Sequence, residues 1–106
     1  MDFKNELFDV EFTEECIDEM TEIYDYISNN LKEDNAAKRL MTEVTDRVLD
    51  LAVSPELYMK IGKVDRLKRE YHRMVIRNYI ILYTIDFKKK KVYISHMIYG
   101  KRNYLS

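Results

Sequence analysis

The chain has 106 residues, enough for one domain, and 46% of them are apolar, enough to form a hydrophobic core. Gly and Pro together contribute only three residues, which argues against a disordered chain. No segment has the roughly 18 consecutive apolar residues of a membrane span, and the N-terminus lacks the layout of a secretory signal. We therefore expect a cytoplasmic protein with no membrane partner.

The formal net charge of −1 conceals a strong asymmetry along the chain. Residues 1–59 carry five basic and sixteen acidic residues, a net charge of −11. Residues 60–106 carry thirteen basic and three acidic residues, a net charge of +10. This asymmetry predicts a surface in the C-terminal half for an anionic partner. The alternative is that solvated charges have segregated along the chain without a function.

The first half of the chain predicts one strand and two helices. Apolar residues alternate over 7–12, which indicates a short strand. Thr13 and the two acids after it are typical of a helix start, and apolar residues then recur at three- and four-residue steps over 13–31. Asn35 is expected to cap a second helix that ends at Ser54-Pro55. The two helices should form an antiparallel hairpin.

The second half predicts strands. Residues 56–67 are interpreted as a loop, after which the apolar period changes to two. Three strands rich in Tyr, Val and Ile are predicted, over 69–77, 79–86 and 91–99. Two successive helices cover only one face of so small a sheet, so the other face is left to solvent or a partner. The predicted fold is a single α+β domain over 1–106, of order β-α-α-β-β-β, with a helical hairpin on a mainly antiparallel four-stranded sheet.

Alternation in the first of these three strands separates a basic series from an apolar one. Met74 and Ile76 suit a buried face, so the basic series is expected on the open face. Arginines bind phosphates and aromatic rings stack on unpaired bases. The residues predicted to bind RNA or another target are Arg69, Tyr71, Arg77, Tyr99 and Lys101. The alternative is an exposed strand whose charges discourage edge pairing.

Three further side chains are candidates for chemistry. His72 and His96 could act as acid–base groups, but both are in phase with apolar residues, which favours inward side chains with structural partners. Cys16 lies at helical spacing among apolar residues, which predicts a core side chain. Two His and one Cys at these separations do not form a ligand set, so neither a metal nor a cofactor is expected.

Several short motifs, taken in order, resemble the RelE/ParE toxin superfamily from Phe8 to Tyr104. They are Val10-Glu11-Phe12-Thr13, Ile23-Tyr24-Asp25-Tyr26-Ile27 with Ala36-Ala37, the stretch from Leu51 to Pro55, the stretch from Asn78 to Asp86, and the stretch from Ile98 to Tyr104. The resemblance implies the fold predicted above. It also implies a growth-inhibiting toxin of a bacterial type II toxin–antitoxin system, of the plasmid-stabilisation class, with a cognate antitoxin that masks its working surface.

The resemblance leaves two mechanisms open. RelE-like toxins cut mRNA on the ribosome as metal-independent endoribonucleases, and by position Arg73, Arg102 and Tyr104 would be the catalytic residues. ParE-like toxins inhibit DNA gyrase and cleave no RNA. Tyr71 and Ile80 stand where nucleases of the family carry a lysine and an arginine, which brings the chain nearer to the ParE-like branch. We expect ribosome-dependent mRNA cleavage, with gyrase inhibition or a non-toxic antitoxin-binding module as alternatives.

Overall fold

The computed structural model describes residues 7–64 and 69–100, apart from the side chains of residues 62–64 and 69. The elements in chain order are β1 (Asp9–Phe12), α1 (Glu14–Asp25), α2 (Asp34–Leu49), β2 (Lys60–Val64), β3 (Arg69–Ile76), β4 (Tyr79–Asp86) and β5 (Lys91–Tyr99). A π-helical turn, Tyr26–Asn30, extends α1, and a 3₁₀ turn, Asp50–Ala52, extends α2. No helix within the described ranges is long and apolar enough to cross a membrane.

The sheet has the strand order β1-β5-β4-β3-β2. β1 runs parallel to β5, and the other neighbours are antiparallel. The α+β class is confirmed, but the predicted count of four strands is wrong. The segment Lys60–Val64, interpreted as loop, pairs with β3 and makes the sheet five-stranded and mixed. A register irregularity between Lys60 and Gly62 hides the alternation by which such a strand is recognised.

Helix α1 begins at a side-chain cap, whereas the cap position of α2 makes no side-chain hydrogen bond. The Thr13 hydroxyl accepts a hydrogen bond from the Cys16 backbone N–H at 3.1 Å, which confirms the predicted start of α1. The predicted cap of α2 is wrong. Helix α2 begins at Asp34, so its cap position is Glu33, which directly follows Lys32, a residue in the left-handed backbone conformation. Asn35 therefore lies inside the first turn of α2.

The main core lies between the helical hairpin and one face of the sheet. The hairpin contributes Cys16, Ile27, Ala37, Leu40, Val44 and Val48. The sheet contributes Met74, Ile76, Ile81, Tyr83, Val92, Ile94 and Met97. Cys16 is fully buried, as predicted, and burial followed by the nearby Glu19 carboxylate raises the pKa of its thiol to about 12. Because the thiolate is the reactive form, a buried thiol that stays protonated has a packing role.

A bulge in β5 sets which side chains face the helices. Leu82 of β4 pairs with His96, whereas the next residue, Tyr83, pairs with Ile94, so Ser95 is an extra residue in β5. Such an insertion turns the side chains that follow it to the opposite faces. Met97 therefore joins the main core, where simple alternation along the strand would have placed it on the other face.

Candidate target-binding surface

Arg73 lies on the face of the sheet that points away from the helices. Its neighbours Met74 and Ile76 are in the main core, and Arg73 is paired across the sheet with Leu82, which lies in a separate apolar cluster. We call this side of the sheet the far face. The prediction that the strand projects Arg73 away from the hairpin is confirmed.

Tyr71 is also on the far face but is not available to a partner. Its side chain is only 2% exposed and packs in a second cluster with Ile80, Leu82 and Ile98. The prediction of Tyr71 as an exposed stacking residue is therefore wrong. Alternation gave the correct face, but the ring lies among the apolar side chains of the neighbouring strands instead of pointing outward.

Two exposed apolar residues lie next to Arg73. Val75, the next far-face residue of β3, is 50% exposed. The Arg73 backbone N–H donates to the Met59 carbonyl at 2.9 Å, and the Met59 side chain is 69% exposed. A partly buried arginine near exposed apolar residues is typical of a protein interface, in which arginine and methionine are enriched.

Arg77 is the first residue of the turn after β3. Its Nε lies 2.8 Å from a carboxylate oxygen of Glu43 on α2, in an exposed ion pair. Arg77 has a φ of 53°, the left-handed region, which takes its side chain out of the alternation of the strand. The expectation that Arg77 shares the open face with Arg73 is therefore wrong, since its side chain reaches the helical layer.

Tyr99 lies on the helix side of the sheet. It is paired across the strands with Tyr79, whose ring packs against the main core, and the two ring centroids are 5.8 Å apart. The predicted grouping of Tyr99 with Tyr71 and Arg73 is wrong, because the bulge at Ser95 inverts the phase of the end of β5. The Tyr99 side chain is 40% exposed.

A groove of about 710 Å³ opens beside Tyr99, between α1 with its π-helical turn and the ends of β4 and β5. We call it the tyrosine groove. Its lining includes Glu19, Glu22, Tyr26, Leu31, Tyr79 and Tyr99. Burial raises the pKa of the Tyr79 phenol, and the neighbouring Tyr99 and Tyr26 raise it further, so Tyr79 stays neutral at physiological pH.

Both histidines have structural partners. The His72 ring stacks on Tyr83 and its Nδ1 is 2.8 Å from the Tyr58 carbonyl oxygen. The His96 Nδ1 is 3.2 Å from both carboxylate oxygens of Glu19. These contacts confirm that both histidines have structural partners. The predicted inward direction is confirmed for His72, which is paired with Tyr83 of the main core. It is wrong for His96, because the bulge at Ser95 pairs this residue with Leu82 on the far face. Within the described ranges, no three His, Cys, Asp or Glu side chains are grouped so that they could hold a metal ion.

Four predicted site residues cannot be placed by their side chains. Lys101, Arg102 and Tyr104 lie outside the described residues, and of Arg69 only the backbone, at the start of β3, is described. The sequence interpretation in turn missed Tyr26 and Glu22. The available signal was the composition of α1, whose six acidic residues are accompanied by no Lys or Arg.

Comparisons with known proteins agree with this architecture. Residues 10–104 match the family model described as the ParE toxin of the type II toxin–antitoxin system, parDE. The fold is similar to that in the toxin–antitoxin complex RelBE2 from Mycobacterium tuberculosis, with a TM-score of 0.64 and 18% identity over 92% of this chain and 97% of that chain. It is also similar to the archaeal RelE–RelB complex from Pyrococcus horikoshii OT3, with a TM-score of 0.54 and 13% identity over 91% and 98% of the two chains.

No curated protein matches the sequence. The two solved structures, at these identities, show a shared fold, and the family model shows more because it spans nearly all of the chain. The match also confirms the superfamily that the sequence motifs resemble. This chain belongs to the ParE toxin family of type II toxin–antitoxin systems.

Proposed function

We propose that this toxin arrests growth by binding DNA gyrase through the far face around Arg73, and that a cognate antitoxin in the cytoplasm holds it inactive. The observation that carries the proposal is the dispersal of the three predicted RNA-binding residues whose side chains the structure describes. Tyr71 is buried, Arg77 is paired with Glu43 on the helical layer, and Tyr99 lies on the opposite face from Arg73.

Cleavage of RNA needs several groups around one phosphate, to activate the 2′-hydroxyl, stabilise charge and protonate the leaving oxygen. Inhibition by binding needs only a complementary surface with a few strong anchors. Arg73, with Val75 and Met59 beside it, has the composition of such an anchor. The match to the ParE family model supports the same mechanism.

Ribosome-dependent mRNA cleavage is the second candidate. It is favoured by the position of Arg73 on the far face, within the half of the chain that carries a net charge of +10. In this mechanism Arg73, Arg102 and Tyr104 would be the catalytic residues, and Arg69 and Lys101 would help to bind RNA. The partners would then be the ribosome and mRNA.

Expression of the chain without its antitoxin discriminates between these mechanisms. We expect growth arrest, loss of supercoiling by purified gyrase in the presence of the toxin, and unchanged 5′ ends of ribosome-bound mRNA. Arg73→Ala should weaken gyrase inhibition by about 30-fold, the loss of an anchor worth roughly 2 kcal/mol. Arg39→Ala, which removes an exposed cation from α2, is the matched control and should inhibit like the wild type.

Other results would contradict the proposal. New mRNA ends at ribosome-occupied codons, with gyrase fully active, would favour cleavage. Normal growth despite abundant folded protein would favour the non-toxic antitoxin-binding module. Circular dichroism of Arg73→Ala establishes that any loss of inhibition is not a loss of fold.

A further inference from the structure

The tyrosine groove is separate from the proposed gyrase-binding surface and presents a different set of exposed side chains. Tyr26 is 54% exposed, and Tyr99 and Leu31 are also open to solvent. Tyr79 lies beneath Tyr99 with the two rings in an edge-to-face arrangement. The groove therefore presents exposed aromatic rings and an apolar floor on the helix side of the sheet, away from Arg73.

The electrostatics of the groove select the charge of what it binds. Helix α1, which forms one wall, carries six carboxylates and no basic residue. Glu19 is already engaged with His96 and with the backbone N–H of Met97, whereas Glu22 is exposed on the wall. Phosphates of a nucleic acid would be repelled here. Lys and Arg side chains would be attracted, because their positive charge is opposite to that of the carboxylate. Their aliphatic chains and cationic groups also pack favourably on aromatic rings.

The volume of about 710 Å³ is in the range of sites that enclose a drug-sized group, and would admit a few side chains of a docked peptide segment. We propose that the tyrosine groove binds a segment of the antitoxin in which an arginine or lysine is flanked by apolar residues. The cationic side chain lies over the ring of Tyr26 or Tyr99 with its charge beside Glu22. This inference rests on the proposed function, since it takes the antitoxin as the partner.

Antitoxin expressed from the adjacent reading frame and titrated into the full-length chain tests the inference by isothermal calorimetry. Tyr26→Leu keeps an apolar side chain but removes the aromatic face, and Glu22→Gln removes the charge with little change of shape. Each substitution should raise the dissociation constant by about three- to tenfold, as expected for loss of one cation–π contact or one charge contact. The double variant should raise the dissociation constant by at least about tenfold.

Glu15→Gln is the matched control, because it removes the same charge from an exposed position of α1 outside the groove. It should bind within twofold of the wild type. The effect of Glu22→Gln should also shrink as salt is raised, since screening removes the charge contact in the wild type as well.

The alternatives give different results. An antitoxin that binds the Glu22→Gln/Tyr26→Leu double variant as tightly as the wild type overturns the inference and leaves the proposed function intact. An antitoxin that does not bind at all overturns both. Nuclear magnetic resonance of the Tyr26 ring in the free protein tests other occupants. Ring signals that shift on Lys101→Gln/Arg102→Gln would assign the groove to the chain's own C-terminal residues, and signals that shift with a short RNA would assign it to nucleic acid; either overturns the inference.

Discussion

Tyr83, at the centre of the sheet, forms a hydrogen bond with the loop after α2. Its side chain is fully buried, and its hydroxyl donates to the Pro55 carbonyl oxygen at 2.9 Å. The ring stacks on His72, which in turn contacts the Tyr58 carbonyl. Burial raises the pKa of the Tyr83 phenol to about 12, because the anion would be enclosed in the core. One aromatic side chain thus fixes the loop that leads into β2.

Tyr83→Phe should lower the free energy of unfolding by roughly 0.5–1.5 kcal/mol at neutral pH, the typical value of one hydrogen bond. Urea denaturation followed by circular dichroism measures it. Tyr93→Phe, at a partly buried position of β5, is the control and should change the stability by less than about 0.5 kcal/mol. Equal stabilities of the wild type and Tyr83→Phe would contradict the assigned hydrogen bond.

The same pair of proteins tests the pKa. A phenol whose pKa is raised in the folded state stabilises the fold fully below its unfolded pKa of 10.0, and loses that contribution as the pH rises toward about 12. Phenylalanine does not titrate. The stability difference between the wild type and Tyr83→Phe should therefore narrow between pH 10 and 12. A difference that is constant across this window would mean that the Tyr83 hydroxyl ionises normally in the fold.

At the level of residues, the predicted face of Arg73 and the predicted burial of Cys16 are correct, whereas the predicted exposure of Tyr71 and the predicted faces of Arg77 and Tyr99 are wrong. Alternation within one strand is a local property, so it gave the face of Arg73 correctly. Whether a far-face ring is covered depends on side chains from other strands, which the sequence of β3 does not contain. The direction of Arg77 depends on a left-handed turn residue and an acidic partner 34 residues away.

At the scale of elements, the helices were predictable because their signals are local. Thr13, the acids after it and the three- and four-residue apolar spacing all lie within α1. β2 and the bulge in β5 are defined by their register with the neighbouring strand, and a one-residue slip in register leaves the composition of a strand unchanged. Because of the bulge in β5, Tyr99 lies in the tyrosine groove and not on the far face, where it was predicted.

Glu19 joins α1 to the part of β5 that extends beyond β1. The pairing of β1 with β5 ends at Ile94, and no other strand of residues 7–64 and 69–100 pairs with the next residues of β5 on that side. The Glu19 carboxylate accepts a hydrogen bond from the Met97 backbone N–H at 3.1 Å and contacts the His96 ring. A helix side chain thus occupies a position that a sixth strand would otherwise take, which protects the edge from pairing with another chain.

Glu19→Ala should destabilise the protein by about 1–3 kcal/mol, because it leaves a partly buried backbone N–H without its acceptor. Asp18→Ala, at an exposed position of the same helix beyond its first turn, should cost less than about 0.5 kcal/mol. Urea denaturation of both variants gives the comparison, and hydrogen exchange at Met97 gives a local measurement. An unprotected Met97 amide in the wild type, or equal costs for both substitutions, would contradict this role for Glu19.

At the scale of the whole molecule, the two halves of the chain carry opposite charges and form most of different layers. The acidic half of the chain supplies both helices, and the basic half supplies four of the five strands. The molecule measures about 50 × 32 × 21 Å, whereas electrostatic interactions are screened over about 10 Å at 0.1 M salt. A partner at one surface therefore responds to the local charge rather than to the net charge of −1. This separation is consistent with an acidic groove and a basic sheet that bind different molecules.

Ion-exchange chromatography measures this separation directly. At pH 7 and about 0.1 M salt, where the Debye length is about 10 Å, we expect the protein to be retained by a cation exchanger despite its net negative charge, because the sheet layer binds the resin on its own. Lys89→Gln, at the exposed β4–β5 turn, should elute at lower salt than the wild type. Lys38→Gln, which removes the same charge from an exposed position of α2, should elute unchanged. Passage of the wild type through the column, or equal shifts for the two variants, would mean that the layers do not act as separate charged surfaces.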